Sequence, residues 1–132
     1  MSNLKATLDR WFSLYIRLRD SDVNGYGRCI SCGKLVHYKD ADCGHFINRR
    51  HMNTRYDEQN CNLQCRACNR FDEGNNEGYR RGLIAKYGDD IINHLYLKKH
   101  IFRKYSTFEY KALADDYKKR FNELKKIKNW KK

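Results

Sequence analysis

Three short motifs organise this chain: CISC at residues 29–32, DCGH at residues 42–45 and NCNLQCRACN at residues 60–69. The first and the third each contain a Cys-x-x-Cys pair, and 32 residues (33–64) separate the two pairs. Such a pair places two thiolates on one tight turn, and two pairs complete the tetrahedral sulfur shell that Zn²⁺ prefers. We therefore predict a structural zinc site at Cys29, Cys32, Cys65 and Cys68. Unliganded cysteines or two disulfides are the alternatives.

The charge balance indicates a polyanionic partner. The chain has 132 residues, 28 Lys and Arg against 16 Asp and Glu, and a formal net charge of +12. An excess of this size is typical of proteins that bind nucleic acid, and a basic surface without a partner is the alternative. The sequence has no apolar run of signal-peptide or membrane-spanning type, and thiolates held by a metal suit a reducing compartment, so we expect a cytoplasmic protein without a membrane partner.

Hydrophobic periodicity predicts an α+β fold that is mostly α. One domain, 1–132, is expected to contain an N-terminal amphipathic helix (1–20), a zinc-bound core (21–88) and a helical C-terminal extension (89–132). In the core, residues 34–38 and 42–47 are expected to pair as a hairpin, and the second Cys pair is expected to begin a helix. This arrangement is that of a treble clef.

The C-terminal extension is expected to end in a long basic helix. Ser106 and Glu109 form a capping-box pattern at its start. The apolar face predicted for it contains Phe108, Leu113, Tyr117, Phe121, Leu124 and Ile127. Its basic residues, Lys118 and Lys119 among them, are candidates for DNA contacts. Alternatively, the helix pairs with a second copy of itself through its apolar stripe, or it packs in the core and its basic face is only solvated.

The residues between the Cys pairs resemble the HNH, or ββα-metal, nucleases. The resemblance implies that His45 is the general base, that Asn60 holds the loop that orients His45, and that Asn69 helps to bind a catalytic cation. Oxygen donors suit Mg²⁺ or Mn²⁺, whereas sulfur donors select zinc, so two kinds of metal could be sorted within one small core. The endonuclease VII type of junction resolvase also has Asn after its last cysteine.

A longer set of motifs resembles the lambda NinG (Rap) recombination proteins. The resemblance covers about residues 20–90 and adds GHFI at 44–47, RYDE at 55–58, GN at 74–75 and the pattern YRxGLI at 79–84 to the cysteines. It implies a phage or prophage endonuclease in the bacterial host cell, acting on D-loops and Holliday junctions alongside phage recombination proteins.

The carboxylate of the catalytic cation site is the open point. Many HNH enzymes have Asp directly before the catalytic His, where this chain has Gly44, as NinG-like proteins do. Asp42 is the nearest candidate. Because alternation along a strand puts residues 42 and 45 on opposite faces, Asp42 would need a bulge. The alternative carboxylates are Asp57, Glu58, Asp72 and Glu73.

Several basic residues flank these motifs and are predicted to hold the DNA backbone: Arg49, Arg50, Arg55, Arg66 and Arg70. We interpret Cys43 and Cys61 as small buried residues rather than ligands. Tyr56 and Phe71 are expected in the core.

The function favoured by these patterns is a structure-selective, divalent-metal-dependent DNA endonuclease. A non-catalytic zinc-stabilised nucleic-acid-binding module is the alternative, and an adaptor for acidic protein surfaces would leave His45, Asn60 and Asn69 without a purpose. Paired cuts on a junction need two active sites, so a homodimer is expected, formed through the N- or C-terminal helices.

Overall fold

The computed structural model describes residues 3–71, 73 and 75–128. Its elements are, in chain order, α1 (Leu4–Arg19), β1 (Tyr26–Arg28), β2 (Leu35–His37), β3 (Ala41–His45), α2 (Met52–Arg55), β4 (Cys61–Cys65), α3 (Asn76–Tyr87), α4 (Ile91–Lys99) and α5 (Thr107–Lys128). A 3₁₀ turn lies at Tyr38–Asp40, and a short π-helical turn lies at Ala67–Phe71. The described part of the chain is thus mostly helical α+β, as predicted.

The strands form two separate antiparallel pairs. β1 pairs with β2 across the Cys29–Cys32 turn, and β3 pairs with β4, so that Ala41 lies opposite Cys65 and His45 opposite Cys61. The predicted hairpin between residues 34–38 and 42–47 is therefore wrong. The 3₁₀ turn redirects the chain after β2, and the residues before Cys65 are extended and provide the partner for β3.

The predicted N-terminal helix is confirmed as α1, and its apolar face packs against α5. Leu8, Phe12 and Ile16 share a core cluster with Ala114 and Tyr117. The rings of Phe12 and Tyr117 meet edge to face at 4.9 Å, an arrangement that aromatic pairs favour. The apolar faces of both helices are thus buried within the chain.

The apolar face of α5 is narrower than predicted. Ala114, Tyr117 and Phe121, spaced by three and four residues, are its buried positions. Phe108 and Ile127 are 80% and 64% exposed, so their assignment to the buried face is wrong. They lie in the first and last turns of α5, outside the central turns that pack against α1. The capping box is confirmed, because Ser106 Oγ accepts from Glu109 N at 3.0 Å and Glu109 Oε1 accepts from Ser106 N at 2.9 Å.

A second cluster joins α3 and α4 to the β3–β4 pair. Tyr79 and Leu83 of α3 pack with Ile91 and Leu95 of α4 and with Ile47, which follows β3. The Tyr79 hydroxyl donates to the carbonyl of Gly44 at 2.7 Å. α3 ends at Gly88, which follows its last residue with φ +101°, a value that favours glycine.

Phe71 is 85% exposed at the end of the short π-helical turn, so its expected place in the core is wrong. Asp72, Gly74, Lys131 and Lys132 lie outside the described residues. In the ranges that are described, no helix has the length and apolar character needed to cross a membrane.

Candidate functional site

The four cysteines of the two Cys-x-x-Cys pairs meet in space. Cys29 and Cys32 lie on the turn between β1 and β2, Cys65 ends β4, and Cys68 lies in the turn that follows. Their sulfur atoms all lie within 4.8 Å of one another, and Cys32 Sγ is 3.8 Å from Cys65 Sγ. Backbone N–H groups point at the sulfurs, as Ser31 N does toward Cys29 Sγ at 3.4 Å. This donor set fits a tetrahedral Zn²⁺.

Asn75 connects this cysteine cluster to α3. Its side-chain Nδ2 donates to Cys68 Sγ at 3.4 Å, and its Oδ1 accepts from Gly78 N at 3.3 Å at the start of the helix. A Cβ at Gly78 would lie 2.3 Å from the carbonyl oxygen of Ser31, so only glycine allows α3 to approach the first Cys turn this closely. The sequence shows Asn75 only as part of the GN motif at 74–75, and its contact with Cys68 depends on the tertiary structure.

A cleft of about 430 Å³ lies between α1, β3 and the turn after Cys65. It is lined by three of the predicted site residues, His45, Asp42 and Asn69, and by the predicted basic residues Arg49, Arg66 and Arg70. α1 contributes Asp9, Ser13 and Arg17, for which the sequence pattern gives no sign of a place in this cleft. Polar and charged groups that lie far apart in the sequence therefore face one space.

His45 ends β3 and lies half-buried at the cleft wall. Its Nε2 lies 3.0 Å from the carbonyl oxygen of Arg55, which can only accept, so a neutral ring carries its proton on Nε2 and its lone pair on Nδ1. Burial lowers the pKa of His45 to about 4, the Arg55 carbonyl opposes this shift, and the charges of Arg49 and Arg55 add to it. The imidazole is therefore neutral at pH 7 and able to accept a proton.

Asn60 holds the loop that carries this carbonyl. Its side chain is fully buried, Oδ1 accepts from Ile47 N at 2.8 Å, and Nδ2 donates to the carbonyls of Ile47 at 3.2 Å and Thr54 at 3.0 Å. Thr54 directly precedes Arg55, whose carbonyl contacts His45. Asn60 thus acts on His45 through the backbone, without touching the imidazole in any contact seen in the described part of the chain.

Asp42 and Asn69 come together, as their assignment to one site requires. Asn69 Nδ2 donates to Asp42 Oδ2 at 2.9 Å, and Arg70 donates to both carboxylate oxygens, also at 2.9 Å. Partial burial would raise the pKa of Asp42, but the bonds from Arg70 and Asn69 outweigh it and hold the pKa below its ordinary value. Oδ2 accepts two of these bonds and Oδ1 accepts one, so a cation would compete with Arg70 for the Asp42 carboxylate.

No bulge is needed to bring Asp42 to the cleft. The β3–β4 register is continuous from residue 41 to residue 45, yet Asp42 and His45 both line the cleft. Asp42, Cys43 and His45 all line the cleft, so residues from both faces of β3 reach it. Gly44 is fixed by packing: a Cβ there would lie 2.0 Å from Gln64 Oε1, which excludes an aspartate in the present arrangement.

The alternative carboxylates in the described part of the chain do not line the cleft. Asp57 forms an ion pair with Lys98, and Glu58 accepts from the Tyr117 hydroxyl at 2.7 Å and pairs with Arg120 at 3.0 Å. Glu73 is exposed and follows a residue outside the described part of the chain. Among the described candidates, Asp42 is therefore the carboxylate that shares the cleft with His45.

The predicted DNA-binding residues fall into three groups. Arg49, Arg66 and Arg70 are exposed at the cleft. Arg50 lines a separate groove of about 320 Å³, and Lys118 and Lys119 lie exposed on α5, away from His45. Arg55 is only 6% exposed, so it does not lie at the surface as a contact to the DNA backbone would require.

Arg55 is internal because Asp9 of α1 binds its guanidinium. Asp9 accepts from Arg55 at 2.6 and 3.1 Å, from the Tyr56 hydroxyl at 2.6 Å and from Arg49 at 3.1 Å. Partial burial opposes ionisation of Asp9, but these donors hold its pKa below the ordinary value. The only sequence signal for this role is an acidic residue next to the apolar face of α1, between Leu8 and Phe12.

Fold and site together define a small, basic, mostly helical α+β protein, with a cluster of four cysteines that could hold a metal ion and a polar cleft beside it. A family model described as "Bacteriophage Lambda NinG protein" matches residues 1–128. The chain therefore belongs to the NinG family.

Individual relatives agree with this assignment. The ninG proteins of Salmonella phage P22 and Escherichia phage lambda are 32% and 30% identical to this chain over 112 residues, which is 84% of this chain and 52% of each relative. The ninG protein of Escherichia phage 933W is 30% identical over 84% of this chain and 53% of its own length. The chain thus spans about half the length of these relatives. No solved structure matches it.

Proposed function

We propose that this NinG-family protein is a divalent-metal-dependent DNA endonuclease with an HNH-like, zinc-bound treble-clef core. The observation that carries the proposal is the His45 imidazole, which is neutral, oriented by the Arg55 carbonyl and placed in a cleft bordered by exposed arginines. A neutral, positioned imidazole is suited to general-base catalysis, and a basic cleft is suited to a phosphodiester.

In this proposal His45 acts as the general base. The oxygen of a water molecule attacks phosphorus, Nδ1 of His45 takes the water proton, and the bond from phosphorus to the leaving sugar oxygen breaks. A bound phosphodiester would bring negative charge next to His45, which raises the pKa of the imidazole toward the working pH. Asn60 is a positioning residue, because it acts through the loop that carries the Arg55 carbonyl.

Asp42 and Asn69 are the residues that would hold a catalytic Mg²⁺ or Mn²⁺. Such a cation would neutralise charge on the scissile phosphate and the leaving oxygen, and Mg²⁺ commonly binds through one carboxylate together with phosphate and water oxygens. Arg70, half exposed, would exchange the Asp42 carboxylate for a DNA phosphate as the cation binds. We infer that DNA binding thereby prepares the cation site.

Branched recombination intermediates are the proposed substrate class. The high positive charge and the cluster of Arg49, Arg66 and Arg70 support binding to a nucleic-acid backbone. The preference for Holliday junctions and D-loops rests on the resemblance to the lambda recombination proteins, as do the place of action in a phage-infected or lysogenic cell and possible phage recombination partners.

A homodimer remains part of the proposal. Two symmetric cuts on a junction need two copies of His45. Because α1 and α5 bury their apolar faces against each other, a dimer would have to use another surface than these stripes. Sedimentation with and without junction DNA tests this point, and a monomer at all concentrations in both conditions would contradict it.

The decisive experiment compares cleavage of a labelled four-way junction with cleavage of a linear duplex of the same sequence. Each reaction contains Mg²⁺, Mn²⁺ or EDTA. We expect cation-dependent cleavage of the junction and a loss of at least about 100-fold in rate in His45→Ala, since general-base catalysis typically contributes 10² to 10⁴. His94→Ala is the matched control, because His94 is exposed on α4, outside the cleft.

The outcomes separate the candidate functions. Cleavage of both substrates at equal rates would keep the endonuclease and remove its structure selectivity. Tight DNA binding without cleavage under any cation would instead identify the non-catalytic nucleic-acid-binding module. The contacts of Arg70 with Asp42 would then be permanent structural contacts. Junction cleavage that persists in folded, zinc-loaded His45→Ala would overturn the role of His45.

A further inference from the structure

A second group of soft ligands surrounds His45. Cys43, His45 and Cys61 have ligand atoms that all lie within 4.8 Å of one another, the same limit that the four zinc-site cysteines satisfy. Cys43 and His45 are two residues apart on β3 and share a face, and Cys61 lies directly opposite His45 in the β3–β4 register. The interpretation of Cys43 and Cys61 as separate small buried residues misses this convergence.

This group is distinct from the four-cysteine centre. Cys61 begins β4 and Cys65 ends it, so the two groups lie about 13 Å apart along the strand at the usual rise per residue. Cys61 is fully buried, whereas Cys43 and His45 also line the cleft. A metal bound here would therefore have protein ligands on one side and the cleft on the other.

The donor atoms decide which metal fits. Two sulfurs and an imidazole favour Zn²⁺, Cd²⁺ or Co²⁺ over the hard cation Mg²⁺. The Arg55 carbonyl holds Nε2 of His45, which leaves the lone pair on Nδ1 and fixes the ring, as backbone carbonyls do for many ligating histidines. The Cys61 thiol donates to the same carbonyl at 3.4 Å, and metal binding would replace its proton.

We propose that Cys43, His45 and Cys61 form a second, three-ligand site for a thiophilic metal ion, open to the cleft at its fourth position. Three ligands and an open position bind metal more weakly than four thiolates, so this site fills after the structural zinc site. Occupancy uses the lone pair of His45. Resting on the proposed function, the consequence is that excess Zn²⁺ or Cd²⁺ inhibits cleavage by occupying the general base.

The test uses Co²⁺ as the probe on the full chain loaded with one equivalent of Zn²⁺ under reducing conditions. Zn²⁺ stays at the four-cysteine centre because Co²⁺ is the weaker binder, so thiolate-to-Co²⁺ charge-transfer absorption reports the second site. We expect about one further Co²⁺ per wild-type chain, by analogy with other three-ligand sites. The absorption should be lost in Cys43→Ser and His45→Ala and kept in Ser13→Ala, whose residue lines the same cleft.

Two results would overturn the site: no thiolate absorption in the wild type, or unchanged absorption in Cys43→Ser with its zinc retained. A separate activity measurement compares junction cleavage by the wild type and by Cys43→Ser, with and without Cd²⁺ at fixed Mg²⁺. Loss of Cd²⁺ inhibition in Cys43→Ser supports the proposal that the bound metal blocks His45. Equal inhibition of the wild type and Cys43→Ser contradicts it. If no cleavage is detected, the proposed function fails, while the Co²⁺ absorption still decides whether the metal site exists.

Discussion

At the scale of single residues, the geometry of the cleft depends on buried polar side chains more than on the exposed ones. Asn60 is the central example, since it forms three hydrogen bonds to the backbone of the 47–54 loop from a fully buried position. Asp9 has a similar role from α1, because it binds Arg55 and Tyr56 and so fixes the residue whose carbonyl orients His45.

Asn60→Ala is expected to destabilise the fold as well as to misplace His45. The substitution leaves the N–H of Ile47 and the carbonyls of Ile47 and Thr54 without their partner, which costs on the order of 3 kcal/mol in the free energy of unfolding. Urea unfolding of the zinc-loaded protein measures this change. Asn93→Ala, at an exposed position of α4, is the control and should change the free energy by less than about 0.5 kcal/mol. Equal effects of the two substitutions would contradict the role of Asn60.

At the scale of secondary-structure elements, Asp20 joins three parts of the chain. It directly follows α1, its Oδ2 accepts from Leu63 N of β4 at 3.0 Å, and its Oδ1 accepts from Lys86 of α3 at 3.0 Å. Burial opposes ionisation of Asp20, but Arg19, Lys86 and the Leu63 N–H together hold its pKa below the ordinary value of 3.8. The Asp20 carboxylate therefore stabilises the folded state at pH values at which it is ionised.

Asp20→Asn is expected to lower the free energy of unfolding by about 2 kcal/mol at pH 7, since it removes one charge from a largely buried network. Because the folded-state pKa of Asp20 is depressed, its stabilisation is present above about pH 4 and is lost as the pH falls further. The difference in the free energy of unfolding between the wild type and Asp20→Asn should therefore decrease below pH 4. Asp89→Asn, at an exposed position, serves as the control. If this difference in the free energy of unfolding does not change with pH, the destabilisation by Asp20→Asn is not electrostatic.

At the scale of the whole molecule, the structure combines an apolar core between α1 and α5 with a more polar region. In that region the four clustered cysteines bring separate segments of the chain together. The β1–β2 turn, the end of β4 and the start of α3 meet at Cys29, Cys32, Cys65, Cys68 and Asn75, with few apolar side chains among them. Without a metal ion, few packing contacts would hold the four sulfur atoms close to one another. A structural metal in such a region contributes directly to folding.

Removal of zinc is expected to lower the melting temperature substantially and to loosen the cleft, because the turn that carries Asn69 and Arg70 follows the last cysteine directly. Differential scanning calorimetry with a chelator measures the effect, and added Zn²⁺, but not Mg²⁺, should reverse it. An unchanged melting temperature after proven metal removal would contradict a structural role. Cys68→Ser should behave like the chelated protein.

The sequence by itself determined the features that depend on local spacing. The cysteine pairs, the end of α3 at Gly88 and the capping box at Ser106 follow from residues a few positions apart, whose geometry the backbone fixes. The tertiary structure alone decided the pairing of β3 with β4, the burial of Arg55 by Asp9 and the convergence of Cys43 and Cys61 on His45. These contacts join groups up to 46 residues apart in the sequence, and their formation depends on how α1 and the strands pack, which no local pattern encodes.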